Sequence, residues 1–291
     1  MTTTFRRLAL AVGGAAAATA AYAVLVEPRW LHRTRPRLHF PDLPPALEGL
    51  TIALVTDIHA GGHTPRGVLA RAVRLVMDAR PDLIAVSGDL AEDEASLEAA
   101  LDALAELAAP LGVYVVPGNH DYRDVGIERW HDAVGRRQSP VDLTNRVRFL
   151  RVGGEGEGGA TLCVAGVDDL AHGRPNLAGL SERHRDFTIL LAHHPDQAER
   201  ARRSVDRVDL ILSGHTHGGQ VRLPGLGAIV NSAASPHLYE AGVRRRPWTQ
   251  VYTSRGIGTT HLPVRFLSRP ELPVLTLTSA PRPPRRVLRG W

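Results

Sequence analysis

Five short polar motifs along the chain share one setting, each directly after an apolar run of strand length. Asp57-x-His59 follows Ile52 to Thr56, Gly88-Asp89 follows Leu83 to Ser87, and Gly118-Asn119-His120-Asp121 follows Val113 to Pro117. His193 follows Ile189 to Ala192, and Gly214-His215-Thr216-His217 follows Leu210 to Ser213. Open α/β sheets hold ligands at such strand ends. Asp57 and His59 stand two apart, so extended backbone projects both to one side, where they can chelate one ion. The two oxygens of Asp89 can bridge two cations, Asn119 offers an amide oxygen, and His193, His215 and His217 offer imidazole nitrogens. That mixture suits Mn, Fe, Zn or Ni better than Ca. Two cations about 3.5–4 Å apart stabilise the attacking and leaving oxygens of an in-line displacement and turn a bridging water into a hydroxide nucleophile. His120 is then free to protonate the departing alkoxide. Glu92 or Asp121 is available to orient its other nitrogen. A lone Asp-x-His or Gly-Asp is usually a cap or a turn, and His194 stands beside His193. The weight lies in the order and the shared setting.

The elements that must position these residues read as α/β. Thr51 to Thr56, Leu83 to Val86, Val113 to Val116, Arg148 to Val152, Leu162 to Val167, Thr188 to Ala192 and Leu210 to Leu212 read as strands. Pro65 to Arg80, Glu94 to Ala109 and Pro195 to Arg203 read as helices, and Gly153 to Gly159 as a flexible turn. The chain has 291 residues, 43% hydrophobic and 22% charged, which fits one globular catalytic domain, placed at 48–280. Arginine, with no lysine, gives a net charge of +5, which favours anionic partners such as phosphate esters. The single cysteine, Cys163, lies in an apolar run and cannot form an intramolecular disulfide.

Residues 1–27 read as an apolar anchor or signal segment. Arg6-Arg7 precedes an uncharged stretch of 19 residues, Leu8 to Val26, about 28 Å long as a helix. An anchor is one reading; a signal cleaved after Ala21-Tyr22-Ala23, of the twin-arginine type, is the other. Arg29, Arg33, Arg35 and Arg37 follow the stretch and place the domain on the cytoplasmic side by the positive-inside rule, whereas twin-arginine export places it outside. Residues 28–47, with five prolines, read as a Pro/Arg-rich tether, and 281–291 as a basic tail.

The motif order D-x-H, GD, GNH, H and GHxH resembles the calcineurin-like metallophosphoesterase superfamily over nearly all of residues 50 to 280. The resemblance implies a four-layer α/β/β/α sandwich with two divalent metal ions at the strand ends. By position, Asp57, His59, Asp89 and His217 would bind one ion, and Asp89, Asn119, His193 and His215 the other. His120 would be the acid, with Glu92 at the orienting-carboxylate position. Glu27-Pro28-Arg29-Trp30, Ala192-His193-His194-Pro195-Asp196, Gly214-His215-Thr216-His217-Gly218-Gly219-Gln220 and Leu262-Pro263-Val264-Arg265 are similar to the membrane-associated, YkuE/YaeI-like phosphodiesterase subgroup. That likeness implies a phosphodiester or pyrophosphate substrate and admits a lipid-linked one such as UDP-2,3-diacylglucosamine, at a bacterial plasma membrane. Protein phosphatases of the superfamily carry GDxVDRG and GNHE. Here Gly88-Asp89-Leu90-Ala91-Glu92-Asp93 lacks the arginine and Asp121 replaces the glutamate, which argues against protein substrates. Soluble phosphodiesters, nucleic acid and a non-catalytic metal-binding scaffold are the alternatives.

Overall fold

The computed structural model describes residues 3–154, 158–181, 184–204, 207–229, 232–234 and 238–280. The basic tail at 281–291 and residues 155–157 of the glycine-rich turn lie outside the described residues. In chain order the elements are α1 (Thr3–Ala21), β1 (His32–Thr34), β2 (Arg37–His39), β3 (Thr51–Val55), α2 (Val68–Ala79), β4 (Leu83–Ser87), α3 (Glu94–Leu104) and β5 (Val113–Val116). There follow α4 (Ile127–Gly135), β6 (Val141–Asp142), β7 (Arg146–Val152), β8 (Ala160–Gly166), β9 (Phe187–Leu191), α5 (Gln197–Ser204) and β10 (Leu210–Ser213). The last are β11 (Arg222–Leu223), β12 (Gly227–Ala228), β13 (Gly242–Arg246), β14 (Thr249–Thr253) and β15 (Glu271–Thr278).

Side-chain alternation along the central strands generates four layers. In β3, Ile52 and Leu54 face one core while Ala53 and Val55 face another. In β4, Leu83 and Ala85 divide from Ile84 and Val86 in the same way. The core of Ile52 and Leu54 lies between two sheets, and that of Ala53 and Val55 lies under α2, α3 and α4. On the far sheet Ile189, Leu191, Leu210 and Leu212 face the inter-sheet core, and Leu190 and Ile211 face a third core that holds Ala198 and Ala201 of α5. One sheet runs β1-β15-β3-β4-β5-β6, with β2 also on β15, and the other runs β13-β14-β10-β9-β8-β7. Strands buried on both faces read as unbroken apolar runs, which is what made them visible in sequence.

The tether reading of 28–47 is corrected. β1 and β2 pair in parallel with successive parts of β15, His32 to Thr34 on Glu271 to Pro273 and Arg37 to His39 on Thr276 to Thr278. Leu38 and Leu47 are fully buried in the inter-sheet core. The prolines punctuate strands of three residues, too short to show a period. α2 begins at Val68 rather than Pro65, because Gly67 sits at φ 82, outside the helical region. Ahead of the domain, α1 has no buried residue, and Thr3–Arg29 is long and apolar enough to cross a membrane. A packed β2 makes Leu38→Ala costly, about 3 kcal/mol in urea unfolding. A loss within about 0.5 kcal/mol, the usual range for exposed positions, would restore the tether.

Candidate metal centre

The five motifs meet at one end of the sandwich, and the backbone is bent to bring them there. Of the ten non-glycine residues with positive φ among those described, five are motif residues: Asp57 (53°), His59 (47°), Asp89 (54°), His215 (70°) and His217 (51°). Left-handed backbone is unfavourable for such residues, and its concentration here marks a site held by its surroundings. The motif glycines give room. A side chain at Gly118 would run into the Asp89 carboxylate, and one at Gly214 into that of Asp57.

Asp57, His59, Asp89, His193 and His217 are all at least 96% buried. His59 Nε2 lies 3.1 Å from His217 Nε2 and 3.6 Å from Asp89 Oδ2, and His217 Nε2 lies 3.4 Å from Asp57 Oδ1. On the other side of Asp89, His193 Nε2 is 3.2 Å from Asp89 Oδ2 and 3.1 Å from Asn119 Oδ1. Asp57, His59 and His217 form one group close enough to hold an ion, and Asp57, Asp89 and His193 another. Two imidazole nitrogens 3.1 Å apart cannot both carry a proton toward each other, and a shared cation suits such a donor set. Burial opposes the charge on Asp89, but His193, His59 and His120 overcome it and hold the carboxyl well below its usual range. Burial, then repulsion from His193 and His194, keeps His215 neutral; burial, then His59 and Arg265, does so for His217. Neutral imidazole is the form that ligates.

His215 stands with its ring centre 5.1 Å from that of His193, its Nε2 3.2 Å from the Ser232 carbonyl oxygen. The neighbour His194 is committed elsewhere, its Nε2 2.9 Å from Asp169 Oδ2, so of the two adjacent histidines His193 is the one that faces Asp89.

The orienting carboxylate for His120 is not the one expected. Glu92 Oε1 accepts from His59 Nδ1 at 2.9 Å and is 3.7 Å from His120 Nδ1. Asp124 Oδ2 lies 2.7 Å from His120 Nδ1. The chain turns at Asp121–Val125, which brings Asp124 back over the ring four residues earlier. Asp121 faces inward instead and accepts from the backbone N–H groups of Asp89, Leu90 and Gly118 at 2.8 to 2.9 Å. It ties two of the motif loops together. His120 N–H in turn donates to Asp89 Oδ1 at 2.8 Å, and His120 Nε2 faces Thr260 Oγ1 at 3.4 Å. Burial leads the lowering of the His120 pKa, with repulsion from His59 and Arg123 adding to it.

The calcineurin-like phosphoesterase pattern matches residues 50–219, a span that carries all five motifs. The chain belongs to that family. It is a metal-dependent phosphoester hydrolase by that membership. Metallophosphoesterase YkuE of Bacillus subtilis is 32% identical over 89% of this chain and 89% of its own length. Phosphodiesterase YaeI of Escherichia coli is 31% identical over 86% of this chain and 90% of its own. A Bos taurus protein called "Transmembrane protein with metallophosphoesterase domain" is 35% identical over 82% of this chain, which spans 55% of that longer protein.

Two residues outside the five motifs brace this family site. Arg265 is fully buried, with Nη2 3.2 Å from His217 Nδ1 and Nη1 donating to the Ser268 carbonyl at 2.8 Å. Ser268 Oγ donates to the His217 carbonyl at 2.8 Å. Asp124 shows in sequence only as a carboxylate four after His120, and Arg265, though part of the Leu262-Pro263-Val264-Arg265 motif, carries no spacing signal that ties it to His217. Asp121 supplies a test of the bracing. Asp121→Ala leaves three buried N–H groups without an acceptor, so the thermal midpoint should fall by an amount worth about 3 kcal/mol or more. An unchanged midpoint would show that the loops do not depend on it.

Proposed function

We propose that this centre holds two divalent cations and hydrolyses a phosphodiester or pyrophosphate bond in an amphiphilic substrate at a membrane. The observation that carries it is the placement of Asp89 Oδ2 between His59 and His193, each bordered by further donors. Asp57, His59, Asp89 and His217 would hold one cation, and Asp89, Asn119, His193 and His215 the other. Such a pair, of Mn, Fe, Zn or Ni, would polarise the phosphoryl oxygens and lower the pKa of a water.

His120, held through Nδ1 by Asp124, presents Nε2 to the cleft and delivers a proton to the leaving oxygen. Arg123 flanks that ring and adds positive charge to a substrate phosphate. Glu92 fixes the ring of His59, the usual service of a carboxylate behind a ligating histidine. The cleft has a volume of about 480 Å³, and Val221, Ile229 and Leu262 give it an apolar wall beside the polar floor. That wall favours an apolar group beside the phosphoester, as a lipid-linked substrate such as UDP-2,3-diacylglucosamine has, over nucleic acid. The relatives named as transmembrane proteins support reading α1 as an anchor.

Asp89→Asn should remove metal from the purified chain and lower turnover of bis-p-nitrophenyl phosphate by more than about 100-fold, since outer-shell changes alone cost 10- to 100-fold. Equal metal content and activity would exclude a dinuclear centre. His120→Ala and Asp124→Asn should keep the metal. Their losses, about 10²- to 10⁴-fold for the alanine, should be larger on an alkyl diester than on the nitrophenyl one, because p-nitrophenolate leaves without a proton. A loss independent of the leaving group would take the acid role away from His120.

A further inference from the structure

We infer that the β11–β12 hairpin and the loop from Leu262 to Leu267 form a face that dips into the lipid bilayer, so that the metal cleft opens at the membrane surface. This rests on reading α1 as a membrane anchor. Among the described residues beyond Val26, eight large apolar side chains are exposed. Six of them, Trp30, Leu223, Leu226, Ile229, Leu262 and Leu267, belong to three segments joined by hydrogen bonds; only Met77 and Val243 lie elsewhere. Leu226, at the hairpin turn, is 81% exposed. A folded domain has little reason to gather its exposed apolar residues in one place unless something apolar meets them.

The bilayer is the occupant because the patch is continuous with the end of the apolar helix. The carboxylate of Glu27, fully buried, accepts from the N–H groups of Leu267 at 3.0 Å and Ser268 at 2.6 Å. Arg265 N–H donates to the Ala23 carbonyl at 3.0 Å. The other edge of the same loop pairs with the root of the hairpin: Phe266 N–H donates to Gln220 and Arg222 N–H to Phe266. The helix end and the hairpin root are thus two hydrogen-bonded backbone spacings apart, about 10 Å. Gln220 Nε2 also holds the carbonyls of Thr260 and Leu262, which fixes the start of that loop. Trp30, with the Arg269 guanidinium 3.7 Å above its ring, sits just past the helix, where aromatic and basic side chains mark the headgroup level. Val221, Ile229 and Leu262 belong both to these segments and to the wall of the metal cleft. A lipid phosphoester would therefore reach the metals without leaving the interface.

The test uses the full chain in vesicles of phosphatidylcholine and phosphatidylglycerol. Cys163 is buried, so Leu226→Cys or Met77→Cys can each be labelled with an environment-sensitive fluorophore. The Leu226 probe should shift to the blue and be quenched severalfold more by nitroxide-bearing lipid than the Met77 probe. Equal quenching at both positions in chain that floats with the vesicles would overturn the face and leave the anchor standing. Chain that does not float would overturn both. Neither result depends on turnover, so a failure of the phosphodiesterase reading shows separately, as wild type inactive on bis-p-nitrophenyl phosphate. Leu223→Asp with Leu226→Asp, neither of which lines the cleft, should preserve that soluble turnover and cut turnover of a lipid phosphodiester in the vesicles severalfold. Equal turnover of the lipid substrate would contradict the inference.

Discussion

A carboxylate with almost no exposure to water cannot stay charged unless its surroundings supply the compensation that water no longer gives. Asp89 is 1% exposed, and the rest of the centre is arranged around that constraint. His193 and His59 face one oxygen, and the His120 amide donates to the other. Asp57, with burial and repulsion from Asp89 pushing its carboxyl up, adds a second acid to the same enclosed volume. Imidazoles alone answer two buried acids poorly; divalent cations answer them fully. Asp57, His59, Asp89 and Asn119 come from the ends of β3, β4 and β5 in one sheet, whereas His193, His215 and His217 come from the ends of β9 and β10 in the other. The centre therefore exists only when the two sheets are stacked in register. The inter-sheet core built from Ile52, Leu54, Ile189, Leu191, Leu210 and Leu212 sets that register.

The connection of this centre to the amino-terminal helix is direct. Glu27 binds the backbone of Leu267 and Ser268, and Ser268 and Arg265 in turn hold His217. Burying an acid to grip a loop is costly unless both oxygens find donors, and both do here. A segment that reads as a detachable leader is, at Ala23 and Glu27, packed against the domain. Removal of the first 27 residues would strip two backbone N–H groups of their acceptor one step from the metal site.

The motif residues were legible because each combines a chemically restricted side chain with a strand end, and both facts are local. The α/β pattern was legible because strands buried on both faces lack polar interruptions, whereas the four layers were implied only by the resemblance to the family. What escaped was long-range. β15, with Pro273 inside it, completes its sheet by pairing antiparallel to β3 while taking β1 and β2 on its other edge, an arrangement fixed by residues more than 200 positions apart. α4 carries a fully buried Trp130 among charged neighbours, and a helix of nine residues shows too little period to be read. The exchange of partners between Glu92 and Asp124 had the same origin: spacing offered several carboxylates, and only the turn at Asp121–Val125 decides which meets His120.

Anomalous diffraction from crystals of the metal-loaded chain bears most directly on the proposed dinuclear centre. Two peaks about 3.5–4 Å apart should flank the Asp89 carboxylate, one within reach of Asp57, His59 and His217 and the other of Asn119, His193 and His215. A single peak there, or an ion bound instead among Glu92, His120 and Asp124, would contradict the account.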